Sequence, residues 1–290
     1  MRYPDIYVVG APKCGTTSLQ YYLGQHPEIF APEFKEPHYH TVAKKGLPTW
    51  GVQTQQQYFD IYRDARPNQM LLDASAWNLY IAEAAEFIKE TSPDAYILIS
   101  LRHPVDRAYS HFMHMVQRGW EKYYRFQEAI RYEPQRVAEG AFWDFHYLSV
   151  GFYASQVQRY LNLFSQEKIK IIFFEEWTRN IDTTMQDIYK FLGVNSASWQ
   201  STSVRKNVTE LSYDQILRMR LQRVKPLKNA LGLILPDTAK QKVMRLLKTR
   251  SGRTLPQINP EVHTLLCQTY KNDIERLETL LGYRVAVWHS

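Results

Sequence analysis

Gly10-Ala11-Pro12-Lys13-Cys14-Gly15-Thr16-Thr17-Ser18 is the segment best equipped for chemistry. It follows the apolar run Ile6–Val9 and precedes a helical pattern. In that setting, N–H groups of the loop and of the helix amino end converge on one point, and the helix dipole draws an anion there. The spacing from Gly10 to Gly15 is G-x4-G, that of a phosphate-binding loop. Loops that bind triphosphates place Lys directly after the second Gly, whereas this chain has Thr16 there and Lys13 inside the loop. A tight grip on a linear triphosphate is therefore not expected. Lys13 is placed instead beside a single 5′-phosphate and whatever is attached to it. The plain alternative is an ordinary strand–turn–helix corner with a stray lysine. A Gly-Thr-Thr sequence on a loop straight after an apolar strand argues against it.

A second anion site is suggested by Leu101-Arg102-His103-Pro104-Val105-Asp106-Arg107-Ala108-Tyr109-Ser110. Arg102 closes an apolar run, at the strand end where open α/β sheets bind ligands. With a helix starting at Pro104, Ser110 falls in its second turn. Arg102, by a forked contact, and Ser110, by its hydroxyl, together suit a second phosphate. Alternatively, Arg102 pairs with Asp106 as a structural salt bridge. Between these segments lies Phe34-Lys35-Glu36-Pro37-His38-Tyr39, a carboxylate set between a lysine and a histidine. His38 and His40 are two residues apart, but no further ligand cluster accompanies them, so no metal is expected. Cys14, at a helix amino end, reads either as a reactive thiol or as a small residue whose backbone does the binding.

The elements that must position these groups are short. Ile6–Val9, Met70–Leu72, Tyr96–Leu101 and Ile169–Phe174 read as strands, mostly apolar throughout, as in a parallel sheet buried on both faces. Helical patterns cover Thr16–Gln25, Leu79–Glu90, Pro104–Gln117, Tyr153–Phe164, Met185–Leu192, Tyr213–Val224, Thr238–Leu247 and Pro260–Leu281. Strands alternating with helices imply an α/β protein. The expected architecture is a P-loop-containing three-layer α/β/α arrangement with a central parallel sheet of about five strands. No Gly-, Ser- or Pro-rich linker divides it, so residues 1–290 read as a single domain. Residues 196–253 are expected to be helical, as a lid or an insertion.

Of 290 residues, 44% are hydrophobic and 14% aromatic, which excludes intrinsic disorder. Two cysteines exclude a disulfide scaffold and fit a reducing compartment. No apolar run reaches the ~20 residues of a membrane span. The first residues do not read as a secretory leader, so a cytoplasmic location is expected. The net charge is +7. Basic residues from Arg218 to Arg253 read as attracting an anionic ligand, as meeting a membrane surface through Leu227–Leu235, or as solvated helix faces with one cofactor-binding Arg. Nucleic acid is not expected, since no recognition module accompanies the charge. Trp120–Tyr147 is rich in aromatics and reads either as a wall of an acceptor site or as core under a long loop.

Taken together, the Pro-Lys-x-Gly-Thr-Thr loop and Leu-Arg-x-Pro-x-x-Arg-x-x-Ser resemble the sulfotransferases that use 3′-phosphoadenosine 5′-phosphosulfate (PAPS). Phe34–Tyr39 is similar to the Lys-Glu-x-His-aromatic segment of the heparan sulfate type. That resemblance implies Glu36 as catalytic base, His38 as its orienting or acceptor-contacting partner, and Lys13 at the bridging oxygen. The donor would be held by Lys13, Cys14, Gly15, Thr16, Thr17, Ser18, Arg102 and Ser110. Leu148–Tyr153 is similar to the segment packed near the adenine, which implies Tyr153. Ser251-Gly252-Arg253-Thr254 resembles a Lys-Gly-Arg loop over the cofactor, with Ser251 in the lysine's place, which implies Gly252, Arg253 and Thr254. Asp73-Ala74-Ser75-Ala76 stands where sugar-modifying relatives often carry Glu-Lys-Thr-Pro. The resemblance implies metal-independent in-line transfer of sulfonate to a hydroxyl or amine of a small molecule or sugar, releasing adenosine 3′,5′-bisphosphate (PAP). The competing expectations are a P-loop kinase or NTPase and a non-catalytic nucleotide-binding module. Oligomeric state is left open.

Overall fold

The computed structural model describes residues 2–40, 51–199 and 258–289. The chain divides into two compact units. The first draws on Met1–Arg107, Ser149–Asn207 and Cys267–Ser290, the second on Ala108–Leu148 and Val208–Leu266. In chain order the strands are β1 (Ile6–Gly10), β2 (Ile29–Phe30), β3 (Met70–Asp73), β4 (Tyr96–Leu101) and β5 (Ile169–Phe173). The helices are α1 (Thr16–Leu23), α2 (Gln55–Asp60), α3 (Ala82–Thr91), α4 (Pro104–Gln117), α5 (Phe126–Arg131), α6 (Glu133–Ala138), α7 (Tyr153–Leu163), α8 (Phe174–Trp177), α9 (Ile181–Leu192) and α10 (Pro260–Leu281).

The first unit holds one five-stranded sheet in the order β2-β3-β1-β4-β5. Every pairing is parallel, with Ile6 opposite Leu72 on one side and Tyr96 on the other. Helices flank the sheet, giving the α/β class expected. The alternation of β1 shows how. Ile6 and Val8 join Leu72, Leu98 and Ile172 in a core closed by Leu19 and Leu23 of α1 and by Met185, Ile188 and Leu192 of α9. Each such aliphatic side chain, fully buried, contributes about 2 kcal/mol. Tyr7 faces the other side, where its hydroxyl is 3.1 Å from Ser92 Oγ at the end of α3. On that side the Tyr160 hydroxyl of α7 also donates to the Asn78 carbonyl at 2.8 Å.

Because the strands are parallel, β1, β3 and β4 all end at one edge of the sheet. After β1 the chain returns toward β2 and β3; after β3 it crosses to β4 and β5. That reversal at β1 opens the crevice where sheets of this kind take ligands.

Three element expectations change. β2 has only two residues, too few to show as an apolar run. α3 begins at Ala82, not Leu79, because the Leu79 amide is already bonded to the Val9 carbonyl at 2.7 Å. α9 begins at Ile181, a turn earlier than Met185, since Asp182 and two threonines suit a first turn despite lacking apolar period. The expected helices Tyr213–Val224 and Thr238–Leu247 lie outside the described residues. At the start of the expected helical segment, Ser196–Ser198 is a single 3₁₀ turn.

In the second unit, Phe112 on α4 meets Phe126 and Tyr147, with ring centroids 5.4 and 5.9 Å away. Glu121 lies beneath, 1% exposed. It accepts a forked pair from Arg136 at 2.8 and 2.7 Å, and the Tyr147 hydroxyl at 2.5 Å. Trp120, by contrast, is exposed, with Arg118 over its ring at 4.9 Å.

Candidate active site

The loop between β1 and α1 is built largely by backbone. Gly10 has φ 154° and Gly15 φ 79°. A Cβ on Gly10 would meet the Ala76 carbonyl oxygen and Leu79 Cβ, both at 2.6 Å. One on Gly15 would run into the Trp177 indole, with Cη2 at 2.9 Å. Only glycine combines these angles with this room. The Ala11 amide donates to the Ser100 carbonyl at 2.7 Å, tying the loop to β4. From below, Ser100 Oγ donates to the Cys14 carbonyl at 2.6 Å, and Trp177 Nε1 donates to Ser100 Oγ at 3.1 Å. α1 starts without a capping side chain and without an acidic residue in its first turn. Its positive end is thus left to an incoming anion. Thr16 and Ser18 are buried in that first turn. Lys13 adopts φ 72°.

Cys14 is fully buried. Burial pushes its thiol up to about 12, outweighing the nearby charges of Arg107 and Arg102. A buried thiol held in its neutral form favours the reading of a small residue that fits over that of a reactive thiol. Arg107 is itself fully buried. Its charge adds to the positive field under the loop, a role the motif residues had not suggested.

At the end of β4, the Arg102 guanidinium lies over the Phe174 ring at 4.9 Å. The salt-bridge alternative placed it on Asp106, which is exposed and acts electrostatically on Cys267. The backbone beside Arg102 is fixed from α7 and α8. The Tyr153 hydroxyl donates to the Arg102 carbonyl at 3.0 Å. The His103 amide donates to Glu175 Oε1 at 2.8 Å, and Trp288 Nε1 to Glu175 Oε2 at 3.2 Å. Trp288 also approaches Tyr153 and His103, with centroids 6.0 and 6.2 Å apart. Tyr153 is thereby held 1% exposed beneath the Arg102 loop. Ser110 sits in the second turn of α4, as its spacing from Pro104 requires, and belongs to the second unit. Gly252, Arg253 and Thr254 lie outside the described residues.

Glu36 stands on a separate segment, which the structure brings to the phosphate loop. Lys35 makes the join. Its Nζ donates to Thr17 Oγ1 on α1 and sits 3.3 Å from Glu36 Oε1. On the other side, His38 Nε2 is 3.2 Å from Glu36 Oε2. Burial alone would raise the Glu36 carboxyl. The hydrogen bond and charge of His38, then Lys35, outweigh it and bring the group down to about 2. Glu36 is therefore an ionised carboxylate at neutral pH, gripped on both sides and still partly open to solvent. Lys13, Thr17, Glu36 and His38 thus fall on two neighbouring segments, linked by Lys35. Sequence spacing had set Lys35 beside Glu36 but not against Thr17, and it had not revealed Ser100, Phe174, Glu175 or Trp177, since each acts across the fold.

The family model described as "Sulfotransferase domain" matches residues 3–245. The chain belongs to this sulfotransferase family. Rat carbohydrate sulfotransferase 15 is 24% identical over 251 residues, covering 67% of this chain and 44% of that protein. Human bifunctional heparan sulfate N-deacetylase/N-sulfotransferase 3 is 28% identical over 208 residues, covering 67% of this chain and 22% of that protein. The chain thus aligns with less than half the length of these curated relatives. A solved sulfotransferase from Alicyclobacillus acidocaldarius superposes with a TM-score of 0.78 at 27% identity, covering 100% of both chains. The sulfotransferase fold, with its P-loop and parallel five-stranded sheet, is the architecture expected. Among the described residues, no helix is long and apolar enough to cross a membrane.

Proposed function

We propose that this sulfotransferase moves the sulfonate of PAPS to a hydroxyl or amine of a small-molecule or carbohydrate acceptor, releasing PAP. The observation that carries the reading is the Lys35 bridge. It ties an anion-receiving helix end to a carboxylate already ionised and already oriented by a histidine. The donor chemistry matches the residues present. The α1 amino end and Lys13 suit a 5′-phosphosulfate, and Arg102, held over an aromatic ring, suits the ribose phosphate.

In the transfer, Glu36 takes the proton from the acceptor oxygen or nitrogen as that atom bonds to sulfur. The sulfur–oxygen bond to the phosphate breaks, and Lys13 and the loop amides face the charge left on that phosphate. His38 holds the carboxylate in place. Lys35 is the exposed member of the pair, so an acceptor hydroxyl can displace it from Glu36. Losing that cation would raise the carboxylate's basicity when the base is needed. The same reading takes residues 1–290 as one catalytic domain, cytoplasmic in location. The curated relatives support a sugar acceptor by name only.

Calorimetry of the purified chain with PAP and with ATP–Mg²⁺ tests the donor. Micromolar binding of PAP and weak binding of ATP are expected. The reverse order would overturn the reading in favour of a kinase-like protein.

A further inference from the structure

Glu36 and His38 both have φ 53°, the left-handed region that side chains avoid. Such angles persist only where the surroundings over-determine them. Here the surroundings come from β3, the turn after it, and α2. The His38 amide donates to Ser75 Oγ at 3.0 Å, and the Val52 amide to the Pro37 carbonyl at 2.9 Å. Ser75, two residues further on, stabilises the charged Asp73 carboxylate through its hydroxyl and its amide. Asp73 Oδ2 accepts from the Tyr58 hydroxyl at 2.6 Å and lies 3.9 Å from His40 Nδ1. Tyr58 stacks on Tyr39 with centroids 4.5 Å apart, and stands edge-on to His40 at 5.3 Å. Asp73, Ser75, Tyr58 and His40 are all fully buried.

Asp73 is thus the hub on which both ends of the segment converge, through Ser75 to His38 and through Tyr58 to Tyr39 and His40. The proposed transfer uses it nowhere. A buried carboxylate is costly unless its partners satisfy it. Burial raises its affinity for a proton, while Tyr58, Ser75 and the charge of His38 pull the other way. Among the described residues, the charged groups that act on His38 include Glu36 from its own segment and Asp73 from β3.

We infer that Asp73 is the positioning residue of the base. Through Ser75 and through its bond to Tyr58, which packs on Tyr39 and His40, it holds residues 36–40 in the turn that aims His38 Nε2 at the Glu36 carboxylate. Asp73 does not meet the reacting atoms. The inference rests on the reading of Glu36 as base, and its test is chosen to be separable from that reading.

The full chain is prepared as Asp73→Asn and as Ser75→Ala. Histidine ¹⁵N–¹H NMR reads the His38 Nε2 proton, hydrogen exchange reads the amides of residues 36–40, and a PAP thermal shift checks folding and the donor site. In the unsubstituted chain the Nε2 proton is expected to be visible, sheltered by its bond to Glu36. In both variants it should be lost to exchange with water, and amide protection should fall about tenfold or more, while the PAP-induced rise in Tm persists. Tyr58→Phe removes one donor and keeps the carboxylate. It should give a smaller change of the same sign, and it carries the test if Asp73→Asn does not fold. An unchanged Nε2 signal and unchanged exchange in folded variants overturn the inference. These readouts register position, not turnover, so a fully active Glu36→Gln would remove the base assignment while leaving the Asp73 result standing.

Discussion

The phosphate loop and the Glu36 segment both depend on left-handed backbone, and they reach it by opposite means. The loop spends glycine at Gly10 and Gly15, where the conformation costs little, and adds one strained residue, Lys13. The Glu36 segment has no glycine and holds Glu36 and His38 at φ 53° by burial and hydrogen bonds from elsewhere. A glycine motif therefore advertises itself in the sequence. A clamp spread over Ser75, Asp73 and Tyr58 does not.

The comparison is broken most sharply by turnover. Glu36→Gln should lower the rate of sulfonate transfer about 10³-fold while PAP binding stays within about twofold, as read by steady-state kinetics and calorimetry. Loss of binding instead would merge the two regions into one. Lys13→Ala should cost about 10²-fold in kcat and weaken PAP as well, since the proposed transfer sets Lys13 where charge develops on the donor. Gly15→Ala should lower stability by about 3 kcal/mol in denaturant unfolding, from the left-handed angle together with the clash against Trp177. By contrast, Glu36→Gly should relieve backbone strain even as it removes catalysis.

Smaller effects follow from titration. The folded Glu36 carboxyl sits at about 2, below its unfolded value. Its contribution to stability is therefore complete above pH ~4.3 and is lost as pH falls toward 2. Glu36→Gln should flatten that part of the acid unfolding curve, measured by circular dichroism. Ser100→Ala should cost about 1–2 kcal/mol, because it leaves the Trp177 N–H and the Cys14 carbonyl short of a partner.

Much of the fold was legible because its signals are local. The apolar runs of β1, β3, β4 and β5 read directly, and the bounds of α4 and α10 coincide with those expected. α2, with the sequence QQQYFD, has no apolar period, and a capping box between Thr54 and Gln57 starts it. At the site, the loop and Arg102 could be read from motif and strand end. Trp177 and Glu175, far along the chain, could not. They reach the loop and the Arg102 turn only after β5 pairs beside β4.

The Glu121–Arg136 pair of the second unit bears on how such a chain can change over generations. Replacing either partner alone strands a buried charge, at a cost of about 3–5 kcal/mol, whereas replacing both with apolar residues can be neutral. Glu121 and Arg136 are therefore expected to be inherited or exchanged as a couple, with the Tyr147 hydroxyl going with them. Lineages that keep one without the other should be absent among functional descendants.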